Sequence, residues 1–343
     1  MRNVVIACFA SGLTCTVFAH HSNDYHFDRN VSVTITGTVT DFRLINPHAR
    51  LVVDVPGENG DMVTWNCEMA AAVSLRRQGW TPDVFRPGDR IVIQGIAARR
   101  NPTECYFGSA TMGGSHVITM SDRFDTDSPV RPEPRATLAA VSDPDIPNLS
   151  GVWRRAVGGG GGGPRLGGPN TLARVLNETG LAALAEYDPV LDDPALTCSP
   201  VSIRRLWGNN DLTLIEQTDD LVTIRHEWMD AVREVHMNMS EHPAGTEDRV
   251  LGHSIGRYEG STLVIDTVGY QEGVLAQHPG LPHSNQLHSV ERLTPNEAGD
   301  GYGLEMTFDD ALYFSEPLTD TRAFEASDEV PQRYNCTITE LER

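Results

Sequence analysis

The chain has 343 residues, 39% hydrophobic and 22% charged, which is enough apolar material for the cores of two ordinary domains. Its 27 basic and 47 acidic side chains leave a net charge of −20, the opposite of what a general nucleic-acid binder or a protein docked on anionic lipid needs. Every basic residue is Arg, which excludes Schiff-base chemistry on Lys, pyridoxal-phosphate enzymes and a Walker phosphate loop.

Residues 1–19 read as a secretory signal. Arg2 is the charged start, Val4 to Phe18 the apolar stretch, and Val17 and Ala19 the −3 and −1 cleavage positions. A lipid anchor at Cys15 is the disfavoured alternative, because Leu13 and Thr14 stand where small residues are expected. Beyond the signal no apolar run approaches the length of a spanning helix, so the expectation is an exported, soluble protein of a bacterial periplasm. Cys8 and Cys15 leave with the signal; Cys67, Cys105, Cys198 and Cys336 remain. Four cysteines in an oxidising compartment suggest two disulfides, for which three pairings exist. Cys67–Cys105 with Cys198–Cys336 is favoured, since each bond would close one domain. A zinc site is disfavoured, because no two cysteines have close ligand spacing.

In chain order, residues 31–40 (VSVTITGTVT) alternate and are β-branched, the mark of a strand. Residues 49–55, 62–69 and 89–98 read as three more strands, and residues 70–80 as a helix ending at Gly79. Strands, one helix, then more strands over residues 20–120 suit a small OB-like barrel, with a β-sandwich as the alternative. Residues 121–147, rich in Pro, Asp, Ser and Thr, read as a linker. A second domain, residues 148–343, opens on Gly151-Val152-Trp153, as lipocalin-like barrels do. The run Gly158 to Gly163 lacks the spacing of a phosphate cradle and reads as a surface loop. A helix is expected over residues 171–187, stopped before Asp188-Pro189. Strands follow at 212–219, 221–229, 232–239, 254–260, 261–270, 288–295 and 303–310, with hairpin turns at Asp219-Asp220 and Glu259-Gly260. The predicted fold class is all-β: an OB-like small barrel, then a lipocalin-like β-barrel, with one or two short helices.

Several motifs in order resemble a family. His20-His21-Ser22, Gly37-Thr38-Val39, Asn46-Pro47-His48, Gly79-Trp80 and Pro87-Gly88-Asp89 together resemble a domain of unknown function found in secreted bacterial proteins. The second half resembles a companion region through Gly151-Val152-Trp153, Cys198-Ser199-Pro200, the run from Gly252 to Gly260, Leu263 to Thr267, Pro282-His283-Ser284, Leu287-His288 and Glu291-Arg292. Tyr258, where the pattern expects Trp, and the glycine run depart from it. The resemblance implies little about activity.

Two constellations could carry chemistry. Cleavage after Ala19 would expose His20, whose amine and ring nitrogen could chelate Cu(II) as a brace, with His21, His26 or His48 as a further ligand. The second constellation lies in the C-terminal barrel. Side chains alternate faces along a strand, so Val232, Glu234 and His236 align, as do Val264, Asp266 and Val268, and His288, Val290 and Arg292. With those faces turned inward, His236, Asp266 and His288 would form a proton-transfer group inside the barrel, and Arg257 or Arg292 would hold a developing oxyanion. His283 and Glu291 complete the candidate set. No His-Glu-x-x-His pair is present. The leading expectation is an exported protein that binds a small apolar or aromatic compound in the barrel. Cofactor-free lyase, isomerase or cyclase chemistry is its extension, and copper binding at His20 is the alternative.

Overall fold

The computed structural model describes residues 26–57, 59–113, 116–124, 146–156, 172, 174–188, 191–276 and 280–338. The expected signal, most of the expected linker and the glycine run lie outside these residues. In the first half the β-branched stretch becomes part of one long strand, β1 (Phe27–Arg43). It pairs on one side with β2 (Arg50–Pro56) and on the other with β4 (Arg90–Ala98), both antiparallel. β3 (Met62–Glu68) continues from β2, and β5 (Glu104–Met112) continues from β4. A parallel pairing of β3 with β5 closes the ring, and the Cys67–Cys105 disulfide crosses that pairing at directly opposed positions. The ring order β1-β2-β3-β5-β4, with α1 (Ala72–Arg77) between β3 and β4, is the OB arrangement expected for this half. β6 (His116–Thr119) extends the sheet along β5.

Leu51, Val53, Phe85 and Phe107 fill this small barrel, and Trp80 closes it. The helix stops at Gly79, in the left-handed region at φ +83°, where a Cβ would fall 1.9 Å from the carbonyl oxygen of Phe124. Only glycine admits that approach. Phe124 packs edge-on against Trp80 and donates its N–H to the Gln78 carbonyl, so residues 122–124 seal the barrel although their composition reads as linker.

The second half closes into a nine-stranded barrel of order β10-β11-β12-β15-β16-β17-β7-β8-β9. Its strands are β7 (Gly151–Arg155), β8 (Thr213–Gln217), β9 (Leu221–His226), β10 (Val232–His236), β11 (His253–Glu259), β12 (Thr262–Val268), β15 (Leu287–Pro295), β16 (Gly301–Asp310) and β17 (Leu318–Ala326). β13 (Gly273–Ala276) and β14 (Leu281–His283) form a separate hairpin. The expected turns at Asp219-Asp220 and Glu259-Gly260 join β8 to β9 and β11 to β12. An antiparallel ring needs an even number of strands, because neighbours must alternate direction. Nine strands therefore force one parallel seam, and it lies between β10 and β11, where only Val235–Ser254 and His236–Ile255 are in register. A parallel step needs a long crossover, supplied by residues 237–252.

Within the helix expected over 171–187, residues 172, 174 and 175 are helical and Leu176 donates its N–H to the Leu172 carbonyl. Asn177 then interrupts the run and caps α2 (Glu178–Glu186) by accepting the N–H of Gly180 at 3.0 Å. A helix not expected from sequence, α3 (Ile203–Gly208), carries Trp207 into the barrel core. Cys198–Cys336 forms as favoured and ties the end of the chain back beside the barrel. The two halves touch directly. Val73 of α1 joins a cluster with Ala195, Val201, Leu206, Trp228 and Tyr334. The guanidinium of Arg77 pairs with Glu227 and lies 3.4 Å from Glu329 and 4.0 Å from Asp211. Among the described residues no helix is long and apolar enough to cross a membrane.

Candidate functional site

Strand alternation sorts the polar residues of the large barrel into an inner and an outer group. Val235 on β10, Leu263 and Ile265 on β12, and Leu287 and Leu293 on β15 belong to the apolar core. Residues of the same parity point inward with them: Arg233, Thr267, Ser289 and Glu291. Glu291 is fully buried and Arg233 is 3% exposed, and their charges meet at 2.7 Å. The approach lacks hydrogen-bond alignment, so Arg233 Nε, Nη1 and Nη2 and Glu291 Oε2 all stay without a hydrogen-bond partner, as does the buried Tyr302 hydroxyl. The other carboxylate oxygen, Oε1, accepts the indole N–H of Trp207. Tyr270 and Ser289 share a hydrogen bond at 2.6 Å, and Ser254 and Thr267 another at 2.9 Å.

Aromatic rings wall this polar centre. Trp207 stands edge-on to Phe324 at 5.3 Å, Phe324 stacks on Tyr302 at 4.9 Å, and Trp153 meets Tyr302 edge-on at 5.0 Å. Burial, reinforced by Glu291, pushes the Tyr302 and Tyr270 hydroxyls upward, so both remain protonated donors. His226, edge-on to Trp207, is driven down to about 3 by burial and then by the charge of Arg233. It is a neutral ring whose Nδ1 lies 3.1 Å from Thr213 Oγ1.

The opposite parity faces outward, and it carries the histidines. Asp266 Oδ1 is 3.0 Å from His242 Nε2 and 3.2 Å from His288 Nε2. His242 Nδ1 is 2.9 Å from His253 Nδ1, and the His253 ring stacks on His236 with centroids 5.1 Å apart. Asp266, His288, His253 and His236 come from four strands, while His242 comes from the crossover imposed by the parallel seam. The hydrogen bond from His288, followed by that from His242, holds the Asp266 carboxyl below its ordinary range, and the same carboxylate holds His288 above its own. His253 is lowered by burial, then by His242, His236 and Arg249.

Where the β10–β11 pairing runs out, a cleft of about 260 Å³ opens, lined by Val232, Arg249, Leu251, His236 and His253 among others. Gly252 sets its edge. At φ +65° a Cβ would lie 2.6 Å from Thr267 Cγ2 and 2.7 Å from the Val268 carbonyl, so glycine lets the crossover enter β11 tight against β12.

The expectation that His236, Asp266 and His288 line the lumen is therefore corrected. The structure gathers them, but on the outer face. The reason is parity: the large apolar residues of β12 and β15 that share the lumen are Leu263, Ile265, Leu287 and Leu293, which forces Asp266 and His288 outward. Arg257 and Arg292 are also external, both 2.7 Å from Glu259 in an exposed cluster, rather than poised over a reacting oxygen. His283, on β14, is buried with Nδ1 3.1 Å from the Ser284 carbonyl oxygen and its ring 6.0 Å from Tyr270, apart from the Asp266 group. Glu291 alone of the expected set lies in the lumen. His20 and His21 lie outside the described residues. His48 Nδ1 faces the Met69 carbonyl oxygen at 3.3 Å and Glu68 at 3.4 Å. Among the described residues no group of three or more His, Cys, Asp or Glu side chains is arranged to hold a metal ion. The sequence reading missed Arg233, Trp207, Tyr270, Tyr302, His226, His242 and His253. His253 had a signal, the Gly252-His253-Ser254 motif; His242, in an irregular crossover, had none.

Residues 8–105 match a family described as a family of unknown function (DUF6152). The match covers much of the first half, where the resemblance was expected, and leaves the second half unmatched. No curated protein matches the chain. Matching solved structures include a mutant of the fluorescent protein UnaG, 13% identical over 53% of this chain and 97% of that one, with a TM-score of 0.26. Another is a secretary abundant heat soluble (SAHS) protein from Ramazzottius varieornatus, 14% identical over 52% of this chain and 95% of that one, also with a TM-score of 0.26. The fold assignment stands on the closure and strand order of the two sheets themselves.

Proposed function

We propose that the large barrel binds a small aromatic or largely apolar molecule bearing an oxygen acceptor, a carboxylate or carbonyl, taken by Arg233 and Tyr302. The observation that carries the reading is that the Arg233 guanidinium, ion-paired with Glu291 but making no aligned hydrogen bond, and the Tyr302 hydroxyl are both buried without a hydrogen-bond partner. A guanidinium offers five N–H donors, and each buried donor left unmade costs about 1–3 kcal/mol. A ligand oxygen placed between the two would recover that cost, while Trp207, Phe324 and Trp153 would take its ring. Glu291 balances the Arg233 charge and keeps the guanidinium oriented. Two disulfides support a protein working outside the reducing cytoplasm. The expected cofactor-free acid/base chemistry moves from the lumen to the outer face, where the imidazoles gather.

Native mass spectrometry of protein exported by its host tests the reading, together with thermal shifts by a panel of aromatic carboxylates. Retained organic mass, or a raised melting temperature that disappears in Arg233→Met, is the expected result. No retained molecule and no shift with any of the panel would overturn it.

A further inference from the structure

The outer histidine group has an internal order that its hydrogen bonds dictate. A carboxylate only accepts, so His242 donates its Nε2–H to Asp266 Oδ1, at 3.0 Å. A neutral His242 then has a bare Nδ1, which must accept, and the partner 2.9 Å away is His253 Nδ1. His253 is thereby held in the Nδ1–H form, leaving Nε2 with its lone pair. That nitrogen has no hydrogen-bond partner among the described residues, and the ring lines the seam cleft. Asp266 anchors the chain of imidazoles as a carboxylate orients a catalytic histidine. Arg249 lines the same cleft, and no carboxylate of the described residues pairs with its guanidinium, in a chain with 47 acidic side chains.

We propose that the seam cleft is a proton-transfer site for a small anionic carbonyl compound, such as a 2-oxo acid, with His253 Nε2 as the general base. Val232 and Leu251 face the substrate carbon chain, and Arg249 holds the carboxylate and the oxygen that gains charge. The carbon–hydrogen bond beside the carbonyl breaks, its electron pair moves onto the carbonyl oxygen as an enolate, and the proton passes to Nε2. Nε2 trades that proton for one from solvent and returns it to the same carbon, which gives hydrogen exchange; a substrate whose enolate is conjugated with a further double bond can take it at the far carbon, which gives isomerisation. No oxidant or cofactor is consumed. His253 is the catalytic residue, while His242 and Asp266 are positioning residues. Burial, the largest cause of the lowering of His253, keeps its ring neutral, as a base requires. His236, Glu234, Arg233, Arg249 and His242 are the charged or titratable groups around it. Arg233 also lines this cleft, with its guanidinium on Glu291, but the proton transfer rests on His253 and Arg249 and not on Arg233.

The test is proton NMR in D₂O, following loss of the C3 protons of pyruvate and 2-oxobutyrate. The folded protein should accelerate exchange roughly 100-fold over buffer, at the lower end for a positioned base. His253→Gln should return it to the buffer rate, and Arg292→Ala should leave it unchanged. Asp266→Asn should slow it and move the pH midpoint of the rate downward, which a merely structural role would not do. Nitrogen-15 NMR of the unmodified imidazoles adds a measurement independent of any variant, and should show His253 protonated on Nδ1. Exchange at the buffer rate with both acids, exchange undiminished in folded His253→Gln, or a His253 protonated on Nε2 would each overturn the proposal.

Discussion

Arg233 on β10 and Glu291 on β15 meet at 2.7 Å inside the barrel, although two strands stand between theirs in the sheet. The contact spans the lumen, so it records how closely the barrel has closed. Neither residue reaches water, and their mutual charge is the main compensation for that desolvation.

Removing one partner should therefore be worse than removing both. Glu291→Gln strands a buried guanidinium and should lower stability by about 3–5 kcal/mol. The double change Arg233→Met with Glu291→Leu should recover most of that loss. Urea unfolding of the two single variants and the double checks this; a double variant as unstable as its worst single would contradict it.

Asp211 sits at the contact between the halves, pushed up to about 6 from 3.8 by burial, against the opposing pull of Arg77. Raised in the folded state, it contributes stability that is complete below pH 3.8 and is lost as pH climbs through about 6. His226, depressed to about 3, acts in the opposite sense over an overlapping range, so the wild-type curve alone is ambiguous. The difference between Asp211→Asn and wild type isolates the Asp211 contribution. It should move in favour of the variant across that window, by at most about 3 kcal/mol. A pH-independent difference in unfolding free energy would count against it.

The Cys198–Cys336 bond closes a chain separation of 138 residues. In the chain-entropy picture a loop of that order contributes about 4–5 kcal/mol. The segment it holds also donates backbone N–H groups from Gln332 to Glu227 at 2.6 Å and from Tyr334 to Asp230 at 2.9 Å. Replacing both cysteines by Ser should lower the melting temperature and expose residues 327–338 to limited proteolysis. The tail should otherwise resist cleavage until global unfolding.

His288 is half-exposed and raised by its hydrogen bond to Asp266. NMR titration should place its midpoint above 6.5, falling in Asp266→Asn. Its contribution to stability is complete below 6.5 and lost as pH rises through the folded-state value, and is small because the pair is partly solvated. An unshifted His288 midpoint in the variant would remove Asp266 as the cause.

Local chemistry in the sequence determined much of this protein. β-branched alternation marked the strands at 31–40 and 261–270, the dipeptides at 219–220 and 259–260 marked hairpins, and four cysteines pointed to two bonds whose favoured pairing formed. What alternation could not supply was the sign of each face. On β12 the residues Leu263 and Ile265 compete with Val264 and Val268, so apolar residues lie on both sides and the lumen side is not legible from the strand alone. On β15 the signal was present, since Leu287 and Leu293 share parity with Glu291 and bracket it. The parallel seam, its cleft and the meeting of His242 with His253 and Asp266 were decided only by tertiary structure. A closed ring of nine strands must break its alternation somewhere, and the crossover that results brings together side chains no local period connects.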